Sequence, residues 1–320
     1  MKLEDVNVDK ELKIVFMGTP EFSVPVLEAL IKNYKVKAIV TQPDKVNQRG
    51  NKIVFSPIKQ VGIDNTILVL QPKDIKNEYQ EIIDMDPDLI ITCAYGQIIP
   101  SELLKAPRLG CINVHASLLP KLRGGAPINR AIIDGYSKTG VTIMYMNEGM
   151  DSGNIIAQKE TLINDDDNYT TLYNRLKIMG KDLLMEVLPS IIDGTNESHE
   201  QDASLVTYGF VIKKEDERID FSKNKRQIIN LIRGLSETPG AFCYFEGKIL
   251  KVYKAYATDE YVSGYPGQIT KIYKDGIGIK VGNGEIVFTE VQIEGKNKMD
   301  AKSFINGLKN KEELIGKILD

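Results

Sequence analysis

Hydrophobic and polar positions follow two different rhythms along this chain. Up to residue 192, short β-rich apolar runs alternate with segments whose apolar positions recur at helical spacing. The runs predict strands over 13–18 (KIVFMG), 37–41, 66–70, 88–94, 111–115 and 140–146. Helices are expected near 56–61, 78–83, 101–105 and 126–134, with a long closing helix over 168–192. Another should follow the first strand, because Thr19-Pro20-Glu21 offers a capping residue, a proline suited to the first turn and an acid at the positive helix end. Strands alternating with helices imply a parallel sheet with helices on both faces, a Rossmann-like α/β domain.

The stretch 193–202 (DGTNESHEQD) is polar, turn-rich and without periodicity, as a linker is. After it the rhythm changes. One helix is expected over 225–235, then short strands separated by glycine turns at Glu246-Gly247, Lys274-Asp275-Gly276, Asn283-Gly284 and Glu294-Gly295. That pattern predicts a small β-barrel of OB-like type. The expected organisation is a domain over 1–192, a linker over 193–208 and a β-barrel domain over 209–320.

Composition narrows the class. A chain of 320 residues with 42% hydrophobic and 27% charged residues suits two globular domains. The first twelve residues alternate charged and apolar positions, unlike a secretory signal, and the apolar stretches are too short to span a bilayer. Cys93, Cys111 and Cys243 lie far apart without paired spacing, which argues against a disulfide framework or a zinc site and fits a reducing cytoplasm. Net charge is −3, yet residues 209–320 carry 19 Lys+Arg against 16 Asp+Glu. A mildly basic second half admits an anionic partner as readily as it admits ordinary surface scatter.

Dinucleotide and nucleoside triphosphate motifs are missing. The turn after the first strand reads Gly18-Thr19-Pro20-Glu21-Phe22-Ser23, with one glycine where the dinucleotide fingerprint needs three, and the chain has no G-x-x-x-x-G-K-[ST]. Of the two histidines, His199 lies in the polar stretch among Glu197, Ser198 and Glu200 and reads as a solvated surface residue. His115 ends the run Cys111-Ile112-Asn113-Val114-His115, so strand alternation places it on one face with Asn113. Strand ends in open α/β sheets point into the crevice where ligands bind. A hydrogen-bonded structural histidine would occupy the same place. The following loop, Ser117-Leu118-Leu119-Pro120-Lys121-Leu122-Arg123-Gly124-Gly125-Ala126-Pro127, reads as a lining for a flat heterocycle or as a buried connection. Asp151, in Gly149-Met150-Asp151-Ser152-Gly153, reads as a turn cap or as the acid that orients His115.

Together these motifs resemble the 10-formyltetrahydrofolate-dependent formyltransferases. Asn-x-His followed by Ser-Leu-Leu-Pro and a later Asp-x-Gly carries the resemblance. So do Phe16-Met17-Gly18-Thr19-Pro20-Glu21-Phe22-Ser23-Val24-Pro25, Ala94-Tyr95-Gly96, Arg123-Gly124-Gly125-Ala126-Pro127-Ile128 and Gly149-Met150-Asp151-Ser152-Gly153, which are similar to the members acting on methionyl-tRNA. The resemblance spans essentially the whole chain. It implies that Asn113, His115 and Asp151 are catalytic, and that Ser117, Leu118, Leu119, Pro120, Tyr95 and Gly96 line the folate site. It also implies a basic loop at 45–52 that meets the tRNA acceptor end through Arg49 and Lys52, with Lys213 and Lys214 on the tRNA backbone. Family loops are more basic, and Asn51 stands where a lysine is expected. The implied partners are initiator methionyl-tRNA and 10-formyltetrahydrofolate, with no metal, membrane or protein partner. Transfer to an amino-sugar nucleotide, or hydrolysis of formyltetrahydrofolate, would use the same three residues. The Thr19-Pro20-Glu21-Phe22 stretch and Arg49 favour tRNA.

Overall fold

A computed structural model describes residues 12–47, 52–308 and 311–320. Two compact units emerge, and they follow a different division from the expected one. The first takes in the chain up to residue 127, then 139–161 and 173–208; the second holds 128–138, 162–172 and 209–320. The expected linker therefore belongs to the first unit.

The first unit is built on strands β1 (Ile14–Gly18), β2 (Val36–Val40), β5 (Leu68–Leu70), β6 (Leu89–Cys93), β7 (Cys111–His115), β8 (Lys138–Tyr145) and β9 (Ile155–Leu162). A separate hairpin pairs β3 (Lys45–Asn47) with β4 (Lys52–Val54). Helices α1 (Val24–Asn33), α2 (Pro57–Asp64), α3 (Gln80–Asp84) and α4 (Ser101–Lys105) intervene, while α5 (Pro127–Ile133) falls almost wholly in the second unit and α6 (Tyr169–Ile192) mostly in the first. Sheet order is β5-β2-β1-β6-β7-β8-β9. The pairs from β5 to β7 are parallel and β8 runs antiparallel to β7, which limits the expected parallel arrangement to five strands.

Every residue of β1 and of β6 is buried, as expected where both faces of a sheet are covered. Val15, Met17, Val40, Ile90 and Leu103 share one of the resulting cores. From β1 the chain moves outward through β2 to β5 and then crosses back to β6 and β7 on the other side. Strand order thus reverses between β1 and β6, and the crevice of such a sheet opens at the carboxyl ends of those strands. Gly18 pairs with Cys93 there, and Asn113 pairs with Thr92 one strand further. The helix after β1 starts later than expected. Thr19 caps nothing; its hydroxyl donates to the Tyr95 carbonyl at 3.0 Å, and a short 3-10 turn over Glu21–Ser23 leads into α1.

In the second unit, α7 (Lys225–Gly234) begins with a reciprocal cap between Asn224 and Gln227. Five strands follow, β10 (Ala241–Phe245), β11 (Lys248–Ala257), β12 (Ile269–Ile272), β13 (Ile277–Val281) and β14 (Gly284–Ile293). They pair antiparallel in the order β10-β11-β14-β13-β12. A short β15 (Met299–Asp300) joins β14 and leads into α8 (Ala301–Asn306). The turn between β10 and β11 uses Glu246 and Gly247, both at positive φ, the geometry a two-residue hairpin requires. Ile228, Ile232 and Leu235 pack with Val252, Ile279 and Phe288 in this unit's core. The last residues run between the two outer strands. Gly316 and Lys317 exchange backbone bonds with Ile269, Leu319 donates to Gly267, and Asp320 exchanges bonds with Tyr244 at 2.7 and 3.1 Å.

Candidate active site

Asn113 and His115 point to the same side of β7, and the rest of the strand is packed away. The Thr92 hydroxyl, 2.9 Å away on β6, donates to Asn113 Oδ1. With its oxygen held, the carboxamide presents its NH2 group, a neutral hydrogen-bond donor. His115 is 6% exposed, and its Nε2 lies 3.1 Å from the Leu122 carbonyl. A carbonyl only accepts, so Nε2 carries the hydrogen and the neutral ring keeps its lone pair on Nδ1. Nδ1 faces Asp151 Oδ1 at 3.7 Å, inside ion-pair range and beyond hydrogen-bond length. The structure thus brings together Asn113, His115 and Asp151 from one strand and one distant loop.

Asp151 sits at φ +46°, a left-handed conformation that aspartate tolerates better than most residues. Its other carboxylate oxygen accepts the Gly124 N–H at 2.8 Å. Gly153 closes the same loop, and a Cβ there would lie 1.9 Å from the Tyr145 carbonyl oxygen. No side chain fits that approach, so glycine at this position is a packing requirement of the loop that carries Asp151.

The four residues Ser117 to Pro120 divide into two kinds. Ser117 is fully buried and its hydroxyl is turned inward to the Lys121 carbonyl at 2.6 Å, while Leu119 packs with Met144 and Ile155. Leu118 and Pro120 stay half-buried and are the two that can face a ligand. Thr142, opposite His115 in the β7–β8 register, organises this loop. It donates to the Ser117 carbonyl at 2.7 Å and accepts from the Leu119 N–H at 3.1 Å and from Gln158 at 2.9 Å. The same Gln158 amide donates to the Leu119 carbonyl at 2.8 Å, so both backbone groups of Leu119 are fixed.

At the end of β6, Tyr95 is buried among Val15, Ile75 and Ile99, while Ala94, Gly96 and Ile98 are exposed. Gly96, at φ +90°, is the member of the Tyr95-Gly96 pair open to a ligand. Burial pushes the Tyr95 hydroxyl up to about 12, and it does the same to the thiols of Cys93, Cys111 and Cys243. Thiols held that high are not nucleophiles at neutral pH.

The β3–β4 hairpin presents another surface. Arg49 and Asn51 lie outside the described residues, whereas Lys52 is exposed on β4. Val46, Ile53, Val54 and Phe55 are exposed beside it, an apolar contribution that the basic reading of this loop did not include. The root of the hairpin is fastened by Lys59 on α2. Its ammonium meets Asp44 at 2.6 Å and Gln71 at 2.7 Å and lies 4.2 Å above the Phe55 ring. Lys213 and Lys214, in the second unit, differ from each other. Lys214 is bound to Glu217 at 2.5 Å and lies over Phe242, while Lys213 is only loosely matched, 3.9 Å from Glu215, with both side chains exposed.

Sequence spacing located Asn113 and His115 but not the residues that hold them. Thr92 and Thr142 are buried threonines inside apolar strands, a weak signal that was available. Gln158 and Gln201 carry no local signal at all.

An open α/β sheet with a carboxamide, an imidazole and a carboxylate grouped at its strand ends has the groups to donate to an oxyanion and to move a proton. The chain belongs to the formyl transferase family, whose model matches residues 12–188, with the formyl transferase C-terminal domain matching residues 211–309. It is 44% identical over 310 residues to a methionyl-tRNA formyltransferase of Staphylococcus epidermidis, covering 96% of this chain and 99% of that one. A methionyl-tRNA formyltransferase of Staphylococcus aureus is 45% identical with the same coverage. Among solved structures, the N-formyltransferase of Helicobacter canadensis in complex with folinic acid and dTDP-3-aminofucose aligns with a TM-score of 0.68 and 23% identity, covering 87% of this chain and 98% of that one.

Proposed function

We propose that this enzyme transfers the formyl group of 10-formyltetrahydrofolate to the α-amine of initiator methionyl-tRNA, and so serves translation initiation in the cytoplasm. The observation that carries the proposal is identity of 44% across 96% of the chain with a protein named for that reaction. The grouping of Asn113, His115 and Asp151 supports it with chemistry.

When bound, the folate supplies a formyl carbon attached to nitrogen, an amide-like centre at which an attacking amine creates an oxyanion. Asn113, with its oxygen held by Thr92, donates from Nδ2 to that oxyanion and cannot itself trade protons. His115, with Nε2–H committed to Leu122, takes the amine proton on Nδ1 and returns it to the departing nitrogen. Asp151 stabilises the imidazolium in between. Leu118, Pro120, Gly96 and Ile98 offer the partly open, mostly apolar edge that suits a flat heterocycle, with Ser117 and Leu119 acting from behind as supports.

For the tRNA, the 45–52 loop supplies Arg49 and Lys52 to the acceptor end, and Lys213 rather than Lys214 is the better placed to meet a phosphate. The domain reading keeps a formyltransferase domain over 1–192, a connecting segment over 193–208 and a tRNA-binding domain over 209–320, which the family matches at 12–188 and 211–309 support. We read the second sheet as an OB-like barrel because residues 316–320 hydrogen-bond to both of its outer strands.

Transfer of radiolabelled formyl from 10-formyltetrahydrofolate to charged initiator tRNA tests the proposal, with elongator methionyl-tRNA and uncharged tRNA as controls. Label on charged initiator tRNA is the expected result. Label passing instead to an amino-sugar nucleotide, or formate released without an acceptor, would overturn it.

A further inference from the structure

The segment 193–208 is polar and reads as a connector, yet its hydrogen bonds run to both loops that carry the site. His199 exchanges backbone bonds with Ile155 at 2.8 and 3.0 Å, just beyond the Asp151 loop. Thr207 accepts the Leu122 N–H on its hydroxyl and the Arg123 N–H on its carbonyl, both at 2.9 Å. Leu122 is the residue whose carbonyl holds His115. Between these two attachments lies Gln201. Its Nε2 donates to the carbonyls of Asp151 and Gly153, each at 2.8 Å, and its Oε1 accepts from Arg123 Nε at 3.0 Å and Nη2 at 2.7 Å. Two donors and one oxygen with two lone pairs make four bonds, so the carboxamide is fully used.

Those four bonds tie the two loops to each other. Arg123 is followed by Gly124, whose N–H holds the Asp151 carboxylate from the other side. Asp151 is therefore gripped at its carbonyl by Gln201 and at its carboxylate by Gly124, and Gln201 bonds the side chain of the residue next to Gly124. Residues in sparsely populated backbone regions persist where surrounding bonds over-determine them, and Asp151 at φ +46° is such a residue.

We propose that Gln201 is a positioning residue, which sets the 3.7 Å separation of His115 and Asp151 by locking the Arg123 loop to the Asp151 loop. The inference rests on the formyl-transfer reading for its kinetic consequence and on geometry alone for its structural one. All four hydrogen-bonding positions of the Gln201 carboxamide are used within the protein, so its loss misplaces the carboxylate without removing it. A displacement of about 1 Å costs on the order of 10²-fold in rate.

The test uses the full chain with Gln201→Met, which keeps length and removes all four bonds. Gln201→Glu is the second variant. It keeps an acceptor for Arg123 and so protects the fold, but it sets oxygens against the two carbonyls. Both are expected to lower kcat by about ten- to a hundredfold, with KM for folate and for charged tRNA within about twofold. In an Asp151→Asn background, Gln201→Met should cause no further loss, because coupled residues are not additive. Independently of activity, hydrogen exchange at the Gly124 amide should accelerate in Gln201→Met while the amides of β7 keep their protection. Unchanged kcat with unchanged Gly124 exchange overturns the inference, and so does an equal loss in the wild-type and Asp151→Asn backgrounds. Should the wild-type protein prove unable to formylate methionyl-tRNA, the functional reading fails, and the exchange measurement still decides the role of Gln201.

Discussion

The loops around His115 and the β3–β4 hairpin are held in opposite ways. In the former, Leu119 is fixed at both backbone groups, Thr142 is saturated, and the imidazole and carboxylate each have a backbone partner that sets their orientation. In the latter, the described pairing joins Lys45–Asn47 to Lys52–Val54, Val46 and Ile53 face solvent, and side chains fasten the root, Lys59 to Asp44 and Gln71, and Thr41 to Ser56. Chemistry needs groups placed to within a fraction of an ångström before substrate arrives, and that placement is supplied by buried hydrogen bonds. Recognition of a large polyanion draws on charge acting over a longer range and tolerates a lightly anchored arm. One protein thus carries both a centre fixed by buried hydrogen bonds and a solvent-facing hairpin fastened at its root.

The largest expected effect falls on the preformed side. Asn113→Ala should remove about 2.7–4 kcal/mol of transition-state stabilisation, the usual range for an oxyanion donor, with folate binding little changed. Single-turnover formyl transfer measures it, and near-normal turnover would remove Asn113 from the role proposed.

A smaller effect, of a different kind, is expected at the hairpin. Lys59→Met takes the ammonium away from Asp44, Gln71 and Phe55, leaves the Gln71–Asp44 hydrogen bond in place, and should raise KM for charged tRNA by about tenfold, near the low end for a charge-assisted hydrogen bond, with kcat and folate KM unchanged. The hydrogen bond from Lys59 holds the Asp44 carboxyl below its ordinary range, and Gln71 adds to this. A depressed carboxylate contributes fully above its unfolded pKa and loses its contribution only as pH falls through the lowered value. The root should therefore stay fastened across neutral and mildly acid pH, and steady-state KM against pH checks it. A fall in kcat instead of a rise in KM would mean that the hairpin root belongs with the catalytic loops.

The smallest effect expected is none. With all three thiols pushed up to about 12, iodoacetamide at about pH 8 meets roughly one thiolate in 10⁴ and should leave activity intact. Rapid inactivation would show that a cysteine beneath the site becomes accessible in solution.

Local patterns made part of this molecule legible. Strand β1 is an unbroken apolar run, α7 announces itself with Asn224 and Gln227, and Glu246-Gly247 marks a hairpin turn. Strand β9 was missed because it is the last strand of its sheet and most of its residues are not buried, so IIAQKETL carries no continuous apolar signal. The β3–β4 pair was missed for a related reason, since Lys52–Val54 is wholly exposed. In the site, the two-residue spacing of Asn113 and His115 could be read from strand geometry. Gln158 and Gln201 could not, because their acceptors are main-chain carbonyls brought near by strand register from 39 and 50 residues away. Main-chain carbonyls leave no trace in a sequence.

The run of residues 316–320 between β10 and β12 also bears on how the chain is made. Strands emerging from a ribosome in order leave the second sheet with two open edges until residues 316–320 have cleared the exit. Open edges are templates for pairing with other chains. During synthesis, therefore, the first unit has all of its sheet in hand before residues 316–320 can cover the outer strands of the second.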